Sequence, residues 1–260
     1  MLKLKDTLIV ESKDQLALIP QGKVLINTIN AHSYNVAQKD AAFAEALCGG
    51  DYLTPDGVSI VMACRWLKAK SQPKDRIVGW DLFSFEMDNL KRKSEKFFDE
   101  QSGKAERKVE SEKCLKVMFL GSTEKVLALI RERAAIDYPN LDIITYSPPY
   151  KKVFSEEDNQ AMIQAINNAN PDLLWIGMTA PKQEKWAYQH WDELNIHCHC
   201  GTIGAVFDFY AGTISRAPEW WQKHSLEWFY RLLQEPKRMW RRYIIGNPLF
   251  LWHILKEKLK

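Results

Sequence analysis

Two adjacent stretches decide the fold of this chain: Asp172-Leu173-Leu174-Trp175-Ile176-Gly177 and, one residue later, Thr179-Ala180-Pro181-Lys182-Gln183-Glu184-Lys185-Trp186. The first is a short apolar run, which is typical of a buried strand. The second predicts a helix start, with Pro181 at the first helical position and polar residues in the first turn. Ligands bind at the carboxyl ends of strands in an open α/β sheet, so this loop is also a candidate to contact a sugar. Taken alone, this loop favours the interpretation as a helix start over the interpretation as a sugar-contacting loop.

Apolar runs alternate with segments of helical periodicity along most of the chain. The predicted strands are residues 24–28, 115–122, 141–145, 172–177 and 196–202, and the predicted helices include 34–47, 58–67, 81–98 and two that begin near 123 and 155. This alternation predicts an α/β fold with a predominantly parallel, Rossmann-like sheet flanked by helices. Strand signals stop near residue 213. We therefore predict an α/β domain at 1–212 and a basic, aromatic, helical C-terminal appendage at 213–260.

The bulk composition narrows the class of protein only in part. The 260 residues can bury a full core, and a net charge of +3 favours no particular partner. The cysteine count of five, an odd number, without an apolar secretory signal at the start indicates reduced thiols and a cytoplasmic location. No apolar run of the sequence reaches the roughly 18 residues that span a bilayer, so we expect any membrane contact to be peripheral.

Three turns could place functional groups beside a helix start. In Thr54-Pro55-Asp56-Gly57, the Asp56 carboxylate could act as a general base on an attacking hydroxyl, although Pro-Asp-Gly is also an ordinary turn and Asp a common helix cap. Gly121-Ser122 resembles a phosphate-contacting turn, and residues 201–205 form a second glycine-bearing turn that leads to Asp208. Neither has a full nucleotide fingerprint, so ligand contact and a simple tight turn both stay open.

The run His197-Cys198-His199-Cys200 contains residue types that bind metals. Along a strand, successive side chains point to opposite faces, so the four would split into two pairs, and no second pair with finger-like spacing lies nearby. The chain also lacks an Asp-x-Asp, the arrangement by which many nucleotide-sugar enzymes hold a divalent cation. We therefore expect the cysteines to pack in the core, and we expect no metal and no other cofactor.

The appendage combines arginines with aromatic residues. Arg231 and Arg238 are seven residues apart, and Arg241 and Arg242 follow, so a continuous helix would place them on one broad face, although Pro236 makes that geometry approximate. Clustered guanidinium groups suit a phosphate or diphosphate, and interleaved aromatic rings suit a membrane interface. Two alternatives stay open: packing of the aromatic rings on the core, and binding of RNA or DNA.

Taken in order, the motifs of this chain resemble those of the WecG/TagA/CpsF glycosyltransferases (glycosyltransferase family 26). The resemblance extends from about residue 25 to about residue 250. It rests on residues 27–30, 55–58, 76–82, 119–121, 171–174, 180–186, 204–208, 211–212, 216–220, 226–231 and 235–238. The chain departs from the family pattern at 201–204, where the family's turn usually reads Gly-Val-Gly-Gly, and at Trp175 and Thr179. These departures bear on donor specificity more than on reaction type.

The resemblance implies transfer of an N-acetylmannosamine-type sugar from a UDP donor to a polyprenyl-diphosphate-linked N-acetylglucosamine, in the synthesis of a bacterial cell-surface polysaccharide. It further implies inversion at the anomeric carbon without a metal, a place on the inner face of the cytoplasmic membrane, and self-association of the body. Inversion by direct displacement requires a base for the acceptor hydroxyl and stabilisation of the departing diphosphate. The competing class is a nucleic-acid-binding or scaffold protein that uses the basic appendage. Under the transferase interpretation we expect no nucleic-acid partner.

The resemblance also assigns roles by position. It makes Asp56 the candidate base. It places Thr28, Asn30, Arg76, Gly121, Gln183 and Asp208 among the substrate-binding residues. Arg231, Arg238 and Arg241 match family arginines on the lipid-diphosphate and leaving-group side. Gln183 would read hydroxyl or amide groups of the donor sugar opposite the base. The charged segment 91–113 receives no role.

Overall fold

The computed structural model describes residues 1–102 and 114–259. Its centre is a six-stranded sheet in the order β2-β1-β6-β5-β3-β4, in which every strand pairs in parallel with its neighbours. The strands are β1 (Val24–Ile29), β2 (Tyr52–Pro55), β3 (Leu115–Gly121), β4 (Leu141–Tyr146), β5 (Leu173–Gly177) and β6 (His199–Thr202). The predicted α/β fold with a parallel, Rossmann-like sheet is confirmed.

Helices cover both faces of the sheet. Those of the body are α1 (Ala31–Ala37), α2 (Ala41–Cys48), α3 (Val58–Leu67), α4 (Gly79–Ser102), α5 (Glu124–Asp137), α6 (Glu156–Ala169), α7 (Lys182–Gln189) and α8 (Ala205–Tyr210). The appendage contains α9 (Glu219–Lys223), α10 (Glu227–Gln234), α11 (Pro236–Trp240), a π-helical turn (Arg241–Ile245) and α12 (Gly246–Lys258). Within the described residues, none of these helices combines the length and the apolar character that crossing a bilayer would require.

Strand β5, which contains the apolar run Leu173–Gly177, is buried along its whole length. Its side chains alternate between the two faces, as the period of a strand requires. Trp175 packs in the cluster that includes Phe83 of α4, with ring centroids 5.5 Å apart, whereas Ile176 packs on the other face in the cluster that includes Trp186 of α7. Burial on both faces explains why the strand reads as a continuous apolar run.

Two local predictions were wrong. The helix predicted at 34–47 is two helices, because the chain turns at Asp40 and its side chain accepts a hydrogen bond from the backbone N–H of Phe43, which starts α2. The segment before Asp56 was interpreted as a turn, but it is the short edge strand β2, which ends at Pro55. Pro is tolerated there because an edge strand leaves one row of backbone groups unpaired.

The topology creates a crevice at the carboxyl ends of β1 and β6. These neighbouring strands send the chain to opposite faces: α2, which follows β1, packs beside α7, whereas α8, which follows β6, packs against α4 and α5. Such a switch point is where ligands bind in open α/β sheets. The loops that follow β1, β2, β5 and β6 therefore surround the site that the sequence predicts.

The last helix of the appendage packs on the body. Phe250 and Ile254 of α12 are buried in the cluster around α1 and α3, and the Tyr34 hydroxyl donates to Glu257 Oε2 over 2.6 Å. The predicted boundary between 212 and 213 stays a prediction, but α12 itself contributes to the core of the body. Of the charged segment 91–113, residues 91–102 belong to α4, and 103–113 lie outside the described residues.

Candidate functional site

The candidate base, Asp56, lies at the end of β2 beside the start of α1. Its backbone N–H donates to the carbonyl of Ile29 over 2.8 Å, and its Oδ2 accepts a hydrogen bond from Asn30 Nδ2 over 3.0 Å. Asn30 is itself fixed, since its Oδ1 accepts from the backbone N–H groups of His32 and Ser33 and caps α1. The structure therefore brings Asp56 and Asn30 together and sets the orientation of the carboxylate.

Thr28 lies at the same edge of the sheet. It is half-buried in β1 and stands in register with Thr54 of β2, two residues before Asp56. Asn30 follows the last residue of β1 and keeps an extended backbone, so its side chain lies on the same side of the chain as that of Thr28. That these three residues bind substrate stays a prediction.

Gln183 has a different environment from the one that the sequence suggests. It is buried, and its Oε1 accepts from the backbone N–H groups of Met178 and Gly204, each over 3.2 Å, while its Nε2 donates to Glu184 Oε1 over 2.9 Å. The side chain thus ties the loop after β5 to the loop after β6. The structure gives Gln183 a positioning task, and direct contact with a donor sugar stays a prediction.

Glu184 accepts the hydrogen bond from Gln183 Nε2. Its side chain is almost completely buried, and burial raises the pKa of its carboxyl group to about 7. Its Oε2 has no hydrogen-bond partner within the described residues. The sequence treats Glu184 only as an acidic residue of a helix start, and the burial that changes its chemistry could not be inferred from that pattern.

A cationic group of the appendage faces Asp208 of α8. Burial raises the pKa of the Asp208 carboxyl, and the charges of Arg238 and Arg231 oppose that rise, so both guanidinium groups lie within Coulombic range of it. Arg231 lies over the ring of Phe209, 5.4 Å from its centroid, and Arg238 pairs with Glu235 over 3.0 Å. Although Pro236 starts a new helix between them, the two predicted arginines still lie close together.

Arg242 lies within Coulombic range of Asp56. Burial lowers the pKa of Arg242, and the nearby charges of Arg231 and Arg238 act in the same direction, whereas Tyr243 and Asp56 oppose them. Burial first, and then the charge of Arg242, lowers the pKa of His32 to about 4, which leaves that ring neutral at pH 7. Arg241 is exposed and stacks on its neighbour Trp240 instead.

Local backbone geometry gives Arg241 and Arg242, which the spacing treats alike, different environments. Residues 241–245 form a π-helical turn, which rotates the side chains relative to an α-helix. Within the described residues, Nε of Arg231 and Nε of Arg242 are buried and have no hydrogen-bond partner. Buried donors normally have acceptors, so these groups suit an anionic ligand such as a diphosphate.

Gly121 stands apart from this group. It lies at the end of β3 in register with Gly177, with φ +117°, a conformation that favours glycine. In the sheet order, β3 is four strands from β2, a separation of roughly 19 Å at about 4.8 Å per strand. Gly121 therefore does not join Asp56, and it could contact only the far end of an extended ligand.

Arg76 lies between the body and the appendage. Its guanidinium donates to the carbonyl of Gln222 over 2.8 Å and lies 3.6 Å from Glu227, which also lies 3.5 Å from Arg216 Nε. The loop that carries Arg76 joins the end of β2, because Ile77 N–H donates to the Pro55 carbonyl over 2.9 Å. Arg76 lines an open cleft of about 640 Å³ beside α3.

Three residues of the His-Cys run are buried, whereas His197 is exposed. Cys198 and Cys200 are buried, as the sequence predicts, and His199 pairs with Glu86 over 2.9 Å and with the Pro20 carbonyl over 3.0 Å. Among the side chains that the structure describes, no group of three or more His, Cys, Asp or Glu could hold a metal ion. That the reaction needs no metal stays a prediction.

Comparison with known proteins gives a family and several relatives. The model of the Glycosyl transferase WecG/TagA/CpsF family matches residues 7–99 and 104–260. A protein of Bacillus subtilis (strain 168) is 28% identical over 90% of this chain and 80% of its own length, and one of Staphylococcus aureus (strain MW2) is 28% identical over 91% and 82%. A third, from Bacillus spizizenii, is 28% identical over 85% and 75%. Each is named N-acetylglucosaminyldiphosphoundecaprenol N-acetyl-beta-D-mannosaminyltransferase. These names favour a transferase over the nucleic-acid-binding alternative.

Proposed function

The chain belongs to the Glycosyl transferase WecG/TagA/CpsF family, and from that premise we propose that it moves an N-acetylmannosamine-type sugar from a UDP donor to a polyprenyl-diphosphate-linked N-acetylglucosamine. The three relatives named above support the sugar class and the acceptor, because their printed names contain both. The product serves a bacterial cell-surface polysaccharide. The reaction inverts the anomeric carbon and uses no metal.

The observation that carries the proposal is the placement of Asp56. Asn30 holds one of its oxygens, and Arg242 lies within Coulombic range of it. A carboxylate fixed in this way can accept the proton of the attacking acceptor hydroxyl. As the new glycosidic bond forms, the bond from the anomeric carbon to the UDP oxygen breaks, and the electron pair leaves with the diphosphate. The reaction thus releases UDP and protonates Asp56.

The leaving diphosphate requires stabilisation, and the appendage arginines support that part of the proposal. Arg242 lies within Coulombic range of Arg231, Arg238 and Asp56, and Arg231 and Arg238 lie within that range of Asp208, which supports a shared cationic region. Charge-assisted hydrogen bonds to phosphate oxygens are stronger than neutral ones and act where charge develops in the transition state. We infer that this group replaces the divalent cation that many nucleotide-sugar enzymes use.

A lipid-linked acceptor requires access to a membrane surface. The appendage exposes large apolar side chains beside its cations, including Trp220, Trp228, Leu233, Trp240, Ile244 and Trp252. Such a mixture suits the interface between headgroups and acyl chains. We propose that the appendage holds the protein peripherally on the inner face of the cytoplasmic membrane, and that the body self-associates.

The direct test is an assay of a UDP-sugar panel against a short-chain polyprenyl-diphosphate N-acetylglucosamine, with and without EDTA. We expect transfer from UDP-N-acetylmannosamine, an inverted linkage, and no loss of rate with EDTA. RNA binding that falls with salt, together with no turnover of any UDP-sugar, would instead support the nucleic-acid-binding alternative. A rate abolished by EDTA and restored by a divalent cation would refute metal independence alone.

A further inference from the structure

A second cationic region surrounds the cleft beside α3. Its walls are α3, the loop residues 74–76, Asp81 of α4, Lys13, and residues 216–225 at the start of the appendage. Six cationic and three acidic side chains line it. Two of the acids already have partners, since Lys13 lies 3.2 Å from Asp81 and Lys223 lies 3.3 Å from Glu219. With Glu227 beside Arg76 and Arg216 also counted, the six cations still outnumber the four carboxylates by two, and this positive excess suits an anionic ligand.

The arginines of the cleft are held in place. Arg76 and Arg216 share the Glu227 carboxylate, which carries one negative charge between two guanidinium groups. Arg65 of α3 donates to the carbonyl of Lys74 over 3.0 Å, a contact that leaves its charge uncompensated. Fixed guanidinium groups with surplus charge favour a phosphate or diphosphate over a diffuse anionic surface.

One wall of the same cleft is apolar. Val58, Val61 and Met62 of α3 line it, and Met62 is 63% exposed. An exposed methionine offers a flexible apolar contact. Cations next to an apolar wall match a ligand with a phosphate group attached to a hydrocarbon chain, and they match a free nucleotide less well.

The position of the cleft relative to Asp56 supplies the final step. Val58 lies two residues after Asp56, a stretch of chain that spans at most about 7 Å. A single sugar can bridge such a distance. We propose, resting on the proposed function, that this cleft binds the diphosphate and the first isoprene units of the acceptor lipid. The N-acetylglucosamine then reaches Asp56, and the group Arg231, Arg238 and Arg242 serves the UDP of the donor.

Binding measurements without catalysis test whether the acceptor diphosphate and the UDP of the donor occupy these two separate sites. Isothermal titration of the full chain would use farnesyl diphosphate, inorganic pyrophosphate and UDP as separate probes. We expect Arg65→Gln and Arg216→Gln each to weaken farnesyl diphosphate by about tenfold, the loss of one charge-assisted hydrogen bond, with less than a twofold effect on UDP. The matched control is Arg131→Gln, because Arg131 pairs with Glu124 on α5, away from the cleft. In the wild type, pyrophosphate should bind more weakly than farnesyl diphosphate, because it lacks the hydrocarbon.

Several outcomes would overturn the assignment. If both variants bind farnesyl diphosphate with unchanged affinity, the cleft is not the lipid site. The same conclusion follows if the variants lose as much affinity for UDP as for farnesyl diphosphate. Pyrophosphate that binds as tightly as farnesyl diphosphate reduces the site to one for free phosphate. Arg216→Gln loses the contact with Glu227 and could unfold for that reason. Arg65→Gln keeps this contact, so it tests the cleft even in that case. Variant-sensitive binding in a protein that transfers no sugar would reject the proposed function and retain the cleft, so the two failures are distinguishable.

Discussion

Replacing Arg242 by Gln removes the guanidinium that lies within Coulombic range of Asp56, and it separates the structural assignment from the one based on the family resemblance. The family resemblance selects Arg241, but the structure places that residue on the surface against Trp240. Arg242 instead interacts with Arg231, Arg238 and Asp56, and its Nε is buried without a partner within the described residues. The comparison of Arg242→Gln with Arg241→Gln is therefore matched in chemistry and differs by one position in the chain.

The expected magnitude follows from one charge-assisted hydrogen bond. Such a bond to an ionised group contributes about 1.5–3 kcal/mol. If Arg242 makes it to the leaving diphosphate in the transition state, Arg242→Gln lowers kcat/KM by roughly 10- to 150-fold. Arg241→Gln should change kcat/KM by less than about threefold, as surface substitutions do. Because burial already disfavours the charge of Arg242, the Arg242 variant should not lower the melting temperature.

Steady-state transfer with a short-chain acceptor, run beside thermal unfolding, decides between the two arginines. The account requires a large loss of kcat/KM for Arg242→Gln with an unchanged melting temperature. An equal loss for both variants would refute the orientation of the π-helical turn. A loss of activity that tracks a loss of stability would show that Arg242 acts only on the fold.

Three further predictions concern stability and membrane contact. Glu184→Gln removes a carboxyl group whose pKa burial raises from 4.5 to about 7. The folded protein keeps this proton to higher pH than the unfolded chain does, so the wild-type free energy of unfolding falls by about 3 kcal/mol as pH rises through that interval. The variant should therefore have a higher melting temperature than the wild type at pH 8. Melting temperatures that change equally with pH in the two proteins would contradict the burial of Glu184. Gly121→Ala brings a Cβ within 2.6 Å of a backbone carbonyl oxygen at φ +117°, whereas Gly22 has φ +135° and open space. Thermal unfolding should show Gly121→Ala costing about 1–3 kcal/mol more than Gly22→Ala, and similar costs would argue against that contact. Changing the exposed Leu233 and Ile244 together to Ser should weaken binding to anionic vesicles by about tenfold, whereas unaltered cosedimentation would remove the appendage from the membrane.

The fold could be predicted from the sequence because its signals are local. The strand β5 is buried on both faces and accordingly has an apolar run at 173–177. Helix α6 begins with the Ser155 cap followed by acidic residues in its first turn, which is a local signal for a helix start. The break at Asp40 and the short strand β2 were not predictable in this way. A four-residue edge strand has too few residues for a periodic pattern, and its identity depends on pairing with β1.

The site could be predicted in part. Asp56 and Asn30 lie at strand ends that the topology brings together, so their proximity follows from the fold. The task of Gln183 depends on two backbone N–H groups that are distant in sequence, and the choice between Arg241 and Arg242 depends on a π-helical turn. Neither leaves a signal in spacing. The family pattern names the segments, and the structure shows how their side chains are oriented.

The rate of sugar transfer by Asp56→Asn tests the central claim most directly. The substitution keeps the size of the side chain and an oxygen that can accept from Asn30 Nδ2, but it removes the base. Single-turnover measurements with a UDP-sugar and a short-chain polyprenyl-diphosphate N-acetylglucosamine should show a loss of about 10²- to 10⁴-fold, with UDP affinity and melting temperature unchanged. Transfer at the wild-type rate would show that Asp56 is not the base and would contradict the account.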